Sequence, residues 1–296
     1  MSDPYDPDEA DIEASRAPLL DHLIELRKRL IVCVSALFVG FIVCFAFSRQ
    51  IYVFLLHPFE VGAGLLAAQK SGHHGPFDLL LALTGFKEVP HAVGLKLVFT
   101  APLEFFFTKL KLAGFGALVL TFPILAWQLY RFVAPGLYKR ERKAFLPFLI
   151  ASPVLFLMGA ALVYYVMLPF VLWFSLSQQI VDAGNISVEL LPKVSDYLTL
   201  VTTLLFAFGL CFQLPVVLAL AGMAGLVNSS MLRAGRRYAI VAVFVVAAIL
   251  TPPDPISQIT LAVPICLLYE VSIWCVWLIE RRRKRDIDGA EPVSVI

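Results

Sequence analysis

The chain has 296 residues, 59% of them apolar and 16% charged, and its mean hydropathy is +0.83. A soluble domain carries about a quarter charged residues, and a nucleic-acid binder a clear basic excess. Here 24 Lys and Arg nearly cancel 22 Asp and Glu to leave +2, so both classes are excluded and a polytopic membrane protein is expected.

Residues 1–17 read as an acidic cytoplasmic tail, with Asp3, Asp6, Asp8, Glu9, Asp11 and Glu13. That sign is wrong for the leading region of a secretory signal, and the apolar run behind it is too long for a signal core, so a retained first span is expected. Crossing about 30 Å of hydrocarbon takes roughly 20 helical residues. Cutting the uncharged runs at prolines, glycines and polar clusters gives six spans at about 30–48, 112–130, 148–174, 198–224, 238–251 and 256–279. They lie in one membrane domain, 18–283, followed by a cytoplasmic tail, 284–296. The fold class predicted is an all-α membrane protein of six transmembrane helices. Spans five and six are short, the fifth being stopped by Pro252-Pro253-Asp254-Pro255 and the sixth interrupted by Glu270, which implies local thinning or access by water.

The 63-residue segment from Arg49 to Lys111 keeps aromatic and apolar content throughout and is expected to fold against the membrane. Near its end Phe99, Leu103, Phe106 and Leu110 recur at helical spacing, and Thr100 with Pro102 supplies a start signal, so an amphipathic helix is predicted to lead into span two. Positive charge decides orientation, because short loops rich in Lys and Arg are retained on the cytoplasmic side. Four lie in the N-terminal segment (Arg16, Arg27, Lys28, Arg29), five in 131–143, three in 233–237 and five in 281–285, whereas the short loops opposite contain only Lys193. Both termini are predicted to be cytoplasmic.

The chain carries no phosphate-cradling loop ending in Lys-Ser/Thr and no nucleophile with a His in a neighbouring span. All five cysteines fall in apolar runs, and His73-His74 lacks carboxylates at ligand spacing, so no disulfide framework, metal site, cofactor or catalytic activity is expected. Two carboxylates stand among cytoplasmic cationic clusters, Glu25 and Glu141. Each either accepts a guanidinium from a partner or pairs with its own Arg neighbours. Gln213 in span four and Glu270 in span six are polar groups at depth, serving either a function or a helix-to-helix hydrogen bond.

Four strings then become specific together: His-Leu-Ile-Glu-Leu-Arg-Lys-Arg-Leu (22–30), Phe-Val-Ala-Pro-Gly-Leu-Tyr-Lys-Arg-Glu-Arg (132–142), Phe-Gly-Leu-Cys-Phe-Gln-Leu-Pro (208–215) and Leu-Thr-Pro-Pro-Asp-Pro-Ile-Ser-Gln (250–258). In this order the chain resembles the TatC family, the signal-receptor subunit of the twin-arginine protein translocase, over about residues 18–283. The resemblance implies a concave, glove-like six-helix protein of the bacterial inner membrane. It implies binding of the twin-arginine signal peptides of folded cargo, self-association, and two single-span partner subunits of TatA and TatB type, with export driven by the proton gradient and no nucleic acid involved. It maps a signal-binding patch onto Glu25, Arg27, Phe132 and Glu141, and structural or partner-contact roles onto Pro58, Gln213, Glu270 and Asp254. One departure is that Gln213 stands where relatives often carry Glu. Residues 61–93 also look longer than usual. A second reading is a secondary transporter of a small solute with Glu270 as proton carrier, and a third is a structural scaffold that tolerates neutralisation of Glu25 and Glu141.

Overall fold

The structure is a computed structural model and describes residues 7–70, 97–133, 141–183, 186–188, 192–250 and 255–288. Helices α1 (Pro7–Ala46), α2 (Ser48–Lys70), α3 (Glu104–Val133) and α4 (Glu141–Leu162) come first, and α4 passes through one π-helical turn (Val163–Met167) into α5 (Leu168–Ser177). A short antiparallel hairpin, β1 (Ile180–Ala183) and β2 (Ile186–Val188), precedes α6 (Val194–Cys211), α7 (Leu214–Met223), α8 (Ser229–Ala234), α9 (Arg236–Leu250) and α10 (Pro255–Asp288). Apart from that hairpin the described elements are helical, as the sequence predicts.

Among the described residues six helical stretches are long and apolar enough to cross a membrane: Leu23–Ala46, Ser48–Gln69, Glu104–Phe132, Ile150–Ser177, Val194–Met223 and Gln258–Arg282. They are not the same six that hydropathy suggests, since α2 lies in the segment assigned outside and α9, at 15 residues, falls short. Side-chain contacts show which helices oppose one another. α3 and α6 start at the same end, because Val98 bridges Lys193 just before them and Glu104 Oε1 accepts the Ser195 N–H at 3.4 Å. α1 opposes α3, with Arg29 meeting Gln128 and Cys44 meeting Gly116. α4 opposes α6 in the same way, with Ser152 against Gln213 and Gly159 against Phe208. Hence α1 and α4 run in one direction.

α2 runs in that direction too, because Phe54 meets Tyr164, Gly62 meets Pro169 and Leu172, and Gln69 meets Trp173 in rising order along α4 and α5. A helix that continues the direction of the span before it cannot recross the bilayer. α2 therefore extends beyond the far end of α1 in company with α5, and the crossings fall to α1, α3, α4, the α6–α7 pair, α9 and α10. The ends carrying Arg27, Lys28, Arg29, Arg131, Arg233, Arg236, Arg237, Arg281 and Arg282 gather on one side, the basic end.

Local chemistry explains the breaks. No proline interrupts α6, and the next one along the chain, Pro215, has no N–H to offer the Cys211 carbonyl four residues earlier, so the helix breaks at Phe212–Gln213. After α7 the chain turns through Gly225 at φ 72°, where the Leu226 N–H reaches back to the Ala221 carbonyl at 2.9 Å. α9 is about 22 Å long at 1.5 Å per residue, against about 30 Å of hydrocarbon. α6 supplies the centre of the core: Val201, Leu204 and Phe208 are fully buried in one cluster with Val163 and Leu168, and the buried Phe156 lies on Gly209. α1 packs chiefly on α3 and leaves Leu30, Val34, Phe38 and Ile42 exposed to the surroundings, as a peripheral membrane helix does. The predicted amphipathic helix before span two is shorter than its spacing implied. Leu97–Phe99 is extended along Pro192–Val194, and helix begins only at Glu104.

Candidate functional site at the basic end

Glu25 and Arg29 stand one turn apart on α1, the spacing at which a carboxylate and a following cation meet. The Arg29 Nη2 and Nε donate to Glu25 Oε1, the latter at 3.2 Å, and Arg29 Nη1 reaches Gln128 Oε1 of α3 at 3.5 Å. The Glu25 side chain is 34% exposed and that of Arg29 18%. Such an ion pair contributes about 0.3–0.5 kcal/mol on a helix surface, too little to make it a structural necessity. The i,i+4 pair is the local alternative that the spacing left open. Arg27 is exposed, and Phe132, half-buried, lies one turn beyond Gln128 on the same strip of α3. α1 and α3 thus carry Glu25, Arg29, Gln128 and Phe132 at the same end, joined there by the contact of Arg29 with Gln128. Glu141 is the first residue of α4, but its side chain lies outside the described residues, as does Asp254 altogether.

The other residues singled out from the sequence lie elsewhere. Pro58 is buried inside α2, past the far end of α1. Gln213 sits at the α6–α7 break, where its Oε1 accepts the Ser152 Oγ–H at 2.7 Å and its Nε2 donates to the Ser152 carbonyl at 2.8 Å. Both ends of the amide are bound to α4, so this polar group acts between helices of the same chain. Replacing Gln213 by Leu is expected to cost about 0.6–2 kcal/mol of stability, the range for interhelical polar contacts in membranes. The loss should appear as a lower melting temperature of the purified protein with the chain still assembled. An unchanged melting temperature would show that the contact is energetically silent.

Glu270 is not enclosed at mid-depth. Because α9 is short, Arg236 at its first residue reaches Glu270 Oε2 at 2.6 Å, with both side chains about half-exposed at the basic end. A carboxylate held by a guanidinium at a wet surface gives no support to the solute-transporter reading, which needs a proton carrier inside the bilayer. The clue to this pairing was the Arg233–Arg237 cluster just ahead of a short span.

Two carboxylates escaped the sequence reading. Glu104 Oε2 accepts from the Thr100 N–H at 2.8 Å, Thr100 Oγ at 3.0 Å and the Ala101 N–H at 3.2 Å while Oε1 faces Ser195, so one side chain fastens the turn that leads into α3 and ties it to the start of α6. Thr100 with Pro102 formed a legible helix start, but the carboxylate that fastens it and its partner ninety-one residues away were not legible. Glu280 of α10 accepts from Ser229 N–H at 2.8 Å and from its hydroxyl, and the Tyr269 hydroxyl donates to Leu232 O at 2.9 Å, so α10 clamps both ends of α8. Among the described residues no three His, Cys, Asp or Glu gather as metal ligands, and the five cysteines are free.

Residues 21–264 match the family described as Sec-independent protein translocase protein (TatC). A relative of that name from Magnetococcus marinus is 44% identical over 273 residues, covering 92% of this chain and 88% of its own. The Escherichia coli K12 relative is 33% identical over 257 residues, 87% of each chain. Two crystal structures of a twin-arginine translocase receptor, TatC, one of them in DDM, superpose with TM-scores of 0.66 and 0.67 at 30% and 31% identity. Each covers 86% of this chain, and the alignments take in 97% and 98% of theirs. A translocase component of this kind is a multi-pass membrane protein and not a known enzyme. On these matches and on the helical fold, the chain belongs to the TatC family of Sec-independent protein translocase proteins.

Proposed function

We propose that this chain is the receptor for twin-arginine signal peptides, with its basic end and both termini in the cytoplasm of a bacterium and its body in the inner membrane. The observation that carries this reading is the partly exposed Glu25 carboxylate at the basic end, paired with Arg29, which in turn reaches Gln128 of α3. A motif of two consecutive arginines calls for carboxylates on the side where the peptide is made, and planar guanidinium binds carboxylate through two parallel hydrogen bonds. Glu141, opening α4, supplies the second carboxylate, with Arg27 and Phe132 completing the patch. The solved relatives are named as a twin-arginine translocase receptor, which supports the same assignment. Self-association and single-span partners of TatA and TatB type would then complete an export machine for folded proteins driven by the proton gradient, with Asp254 as a candidate partner contact.

Receptor function and orientation are tested together with a signal peptide carrying a photoreactive group beside its two arginines. Inverted vesicles, which present the basic end, should give a crosslink to this chain, and right-side-out vesicles should not. Capture only from the opposite face, or none from either, would overturn the proposal.

A further inference from the structure

Pro58 lies inside α2 and is fully buried. Proline has no N–H, and its ring crowds the carbonyl four residues earlier, so the Phe54 carbonyl lacks its helical donor. Two adjacent carbonyls of the turn before Pro58 are met from other helices. The Tyr164 hydroxyl donates to Phe54 O at 2.7 Å, and the Tyr197 hydroxyl donates to Leu55 O at 2.7 Å. Both tyrosines are buried, and their rings are fixed: Tyr164 is stacked on Phe54 with centroids 4.4 Å apart and planes 7° apart, and Tyr197 stands edge-on to Phe59 at 5.4 Å.

The two hydroxyls come from unlike places. Tyr164 is the second residue of the π turn that joins α4 to α5, and such a turn inserts a residue and re-aims the side chains around it. Tyr197 comes from the first turn of α6. A proline that opens one helix, a π turn in a second and the start of a third therefore converge on two adjacent carbonyls. Just above, Gly62 lets α2 close onto α5, since a Cβ there would stand 2.9 Å from Leu172 Cβ and 3.1 Å from the Pro169 carbonyl.

We propose that Pro58, Tyr164 and Tyr197 form one joint, in which the proline opens α2 and the two tyrosines act as positioning residues that close it, fixing the direction in which α2 leaves the membrane bundle. The joint concerns how α2 is held and is independent of signal-peptide binding. It predicts coupling that simple packing does not. Tyr164→Phe keeps the ring and removes only the donor, so amide hydrogen exchange of α2 around residues 55–62, measured on the full chain in lipid nanodiscs, should quicken roughly tenfold. Pro58→Ala restores an N–H for the Phe54 carbonyl, and on that background Tyr164→Phe should alter exchange by less than about twofold. Equal acceleration on both backgrounds would overturn the joint. If the Tyr164→Phe protein fails to accumulate, recovery of the Pro58→Ala, Tyr164→Phe protein supports the joint, and failure of both proteins to accumulate refutes it.

Discussion

Replacing Glu25 by Ala is expected to weaken binding of a twin-arginine signal peptide by about one to two decades, because a charge-assisted hydrogen bond is worth roughly 1.5–3 kcal/mol. The substitution also releases Arg29, whose Nε and Nη2 now donate to Glu25, and leaves an added positive charge facing the incoming guanidinium groups. Glu25→Gln keeps the shape without the charge and should recover little. If Glu25 and Glu141 share the two guanidinium groups, the double alanine variant loses less than the two single losses added together, as coupled neighbours do. Isothermal titration of the purified variants with the peptide reads this directly. Unchanged affinity in the double variant would return both carboxylates to the alternative of charges paired with their own neighbours.

The largest structural effect is expected at Gly209. A Cβ there would lie 2.5 Å from Phe156 Cε2, with two further ring atoms within 2.8 Å. Phe156 has no room to withdraw, being 1% exposed and stacked on Phe122 with centroids 4.0 Å apart. Across the same contact a Cβ on Gly159 would meet the Phe208 carbonyl and the Phe212 ring at 2.8 Å, so the α4 and α6 backbones approach as closely as glycine allows. Overpacking of a filled core costs about 1–3 kcal/mol and sometimes more. Gly209→Val should therefore sharply lower the yield of folded protein and its melting temperature in detergent. Gly114→Ala is the matched control, since nothing stands within 4 Å of its Cβ position and alanine favours helix. Equal melting temperatures for the Gly209→Val and wild-type proteins would show that the close approach is not a constraint.

Hydropathy and loop charge made the membrane class, the helical fold and the shortness of α9 legible, because each is a property of a continuous stretch of chain. What they could not show was direction. α2 is apolar enough to count as a span, and only its contacts with Tyr164, Leu172 and Trp173 reveal that it continues the course of α1. Residues paired across long separations were equally hidden. Glu270 read as a group at depth until Arg236 was placed beside it, and Gln213 read as either a functional group or a helix-to-helix contact until Ser152 took both ends of its amide. For Glu25, pairing with its own Arg neighbours was one of two alternatives legible in the sequence, and Arg29, one turn on, is the neighbour it takes. The brace from Arg29 to Gln128 was not legible, since it joins positions ninety-nine residues apart.

Recognition of paired guanidinium groups by this chain's own carboxylates is tested most directly by two affinities of the purified protein, without partner subunits. One is for a signal peptide carrying two arginines, the other for the same peptide carrying two lysines. Lysine keeps the charge but cannot offer the planar two-point hydrogen bond to a carboxylate. The twin-lysine peptide should bind at least about tenfold more weakly, the equivalent of one charge-assisted hydrogen bond. Equal affinity for the two peptides, or no binding of either, would contradict the receptor assignment.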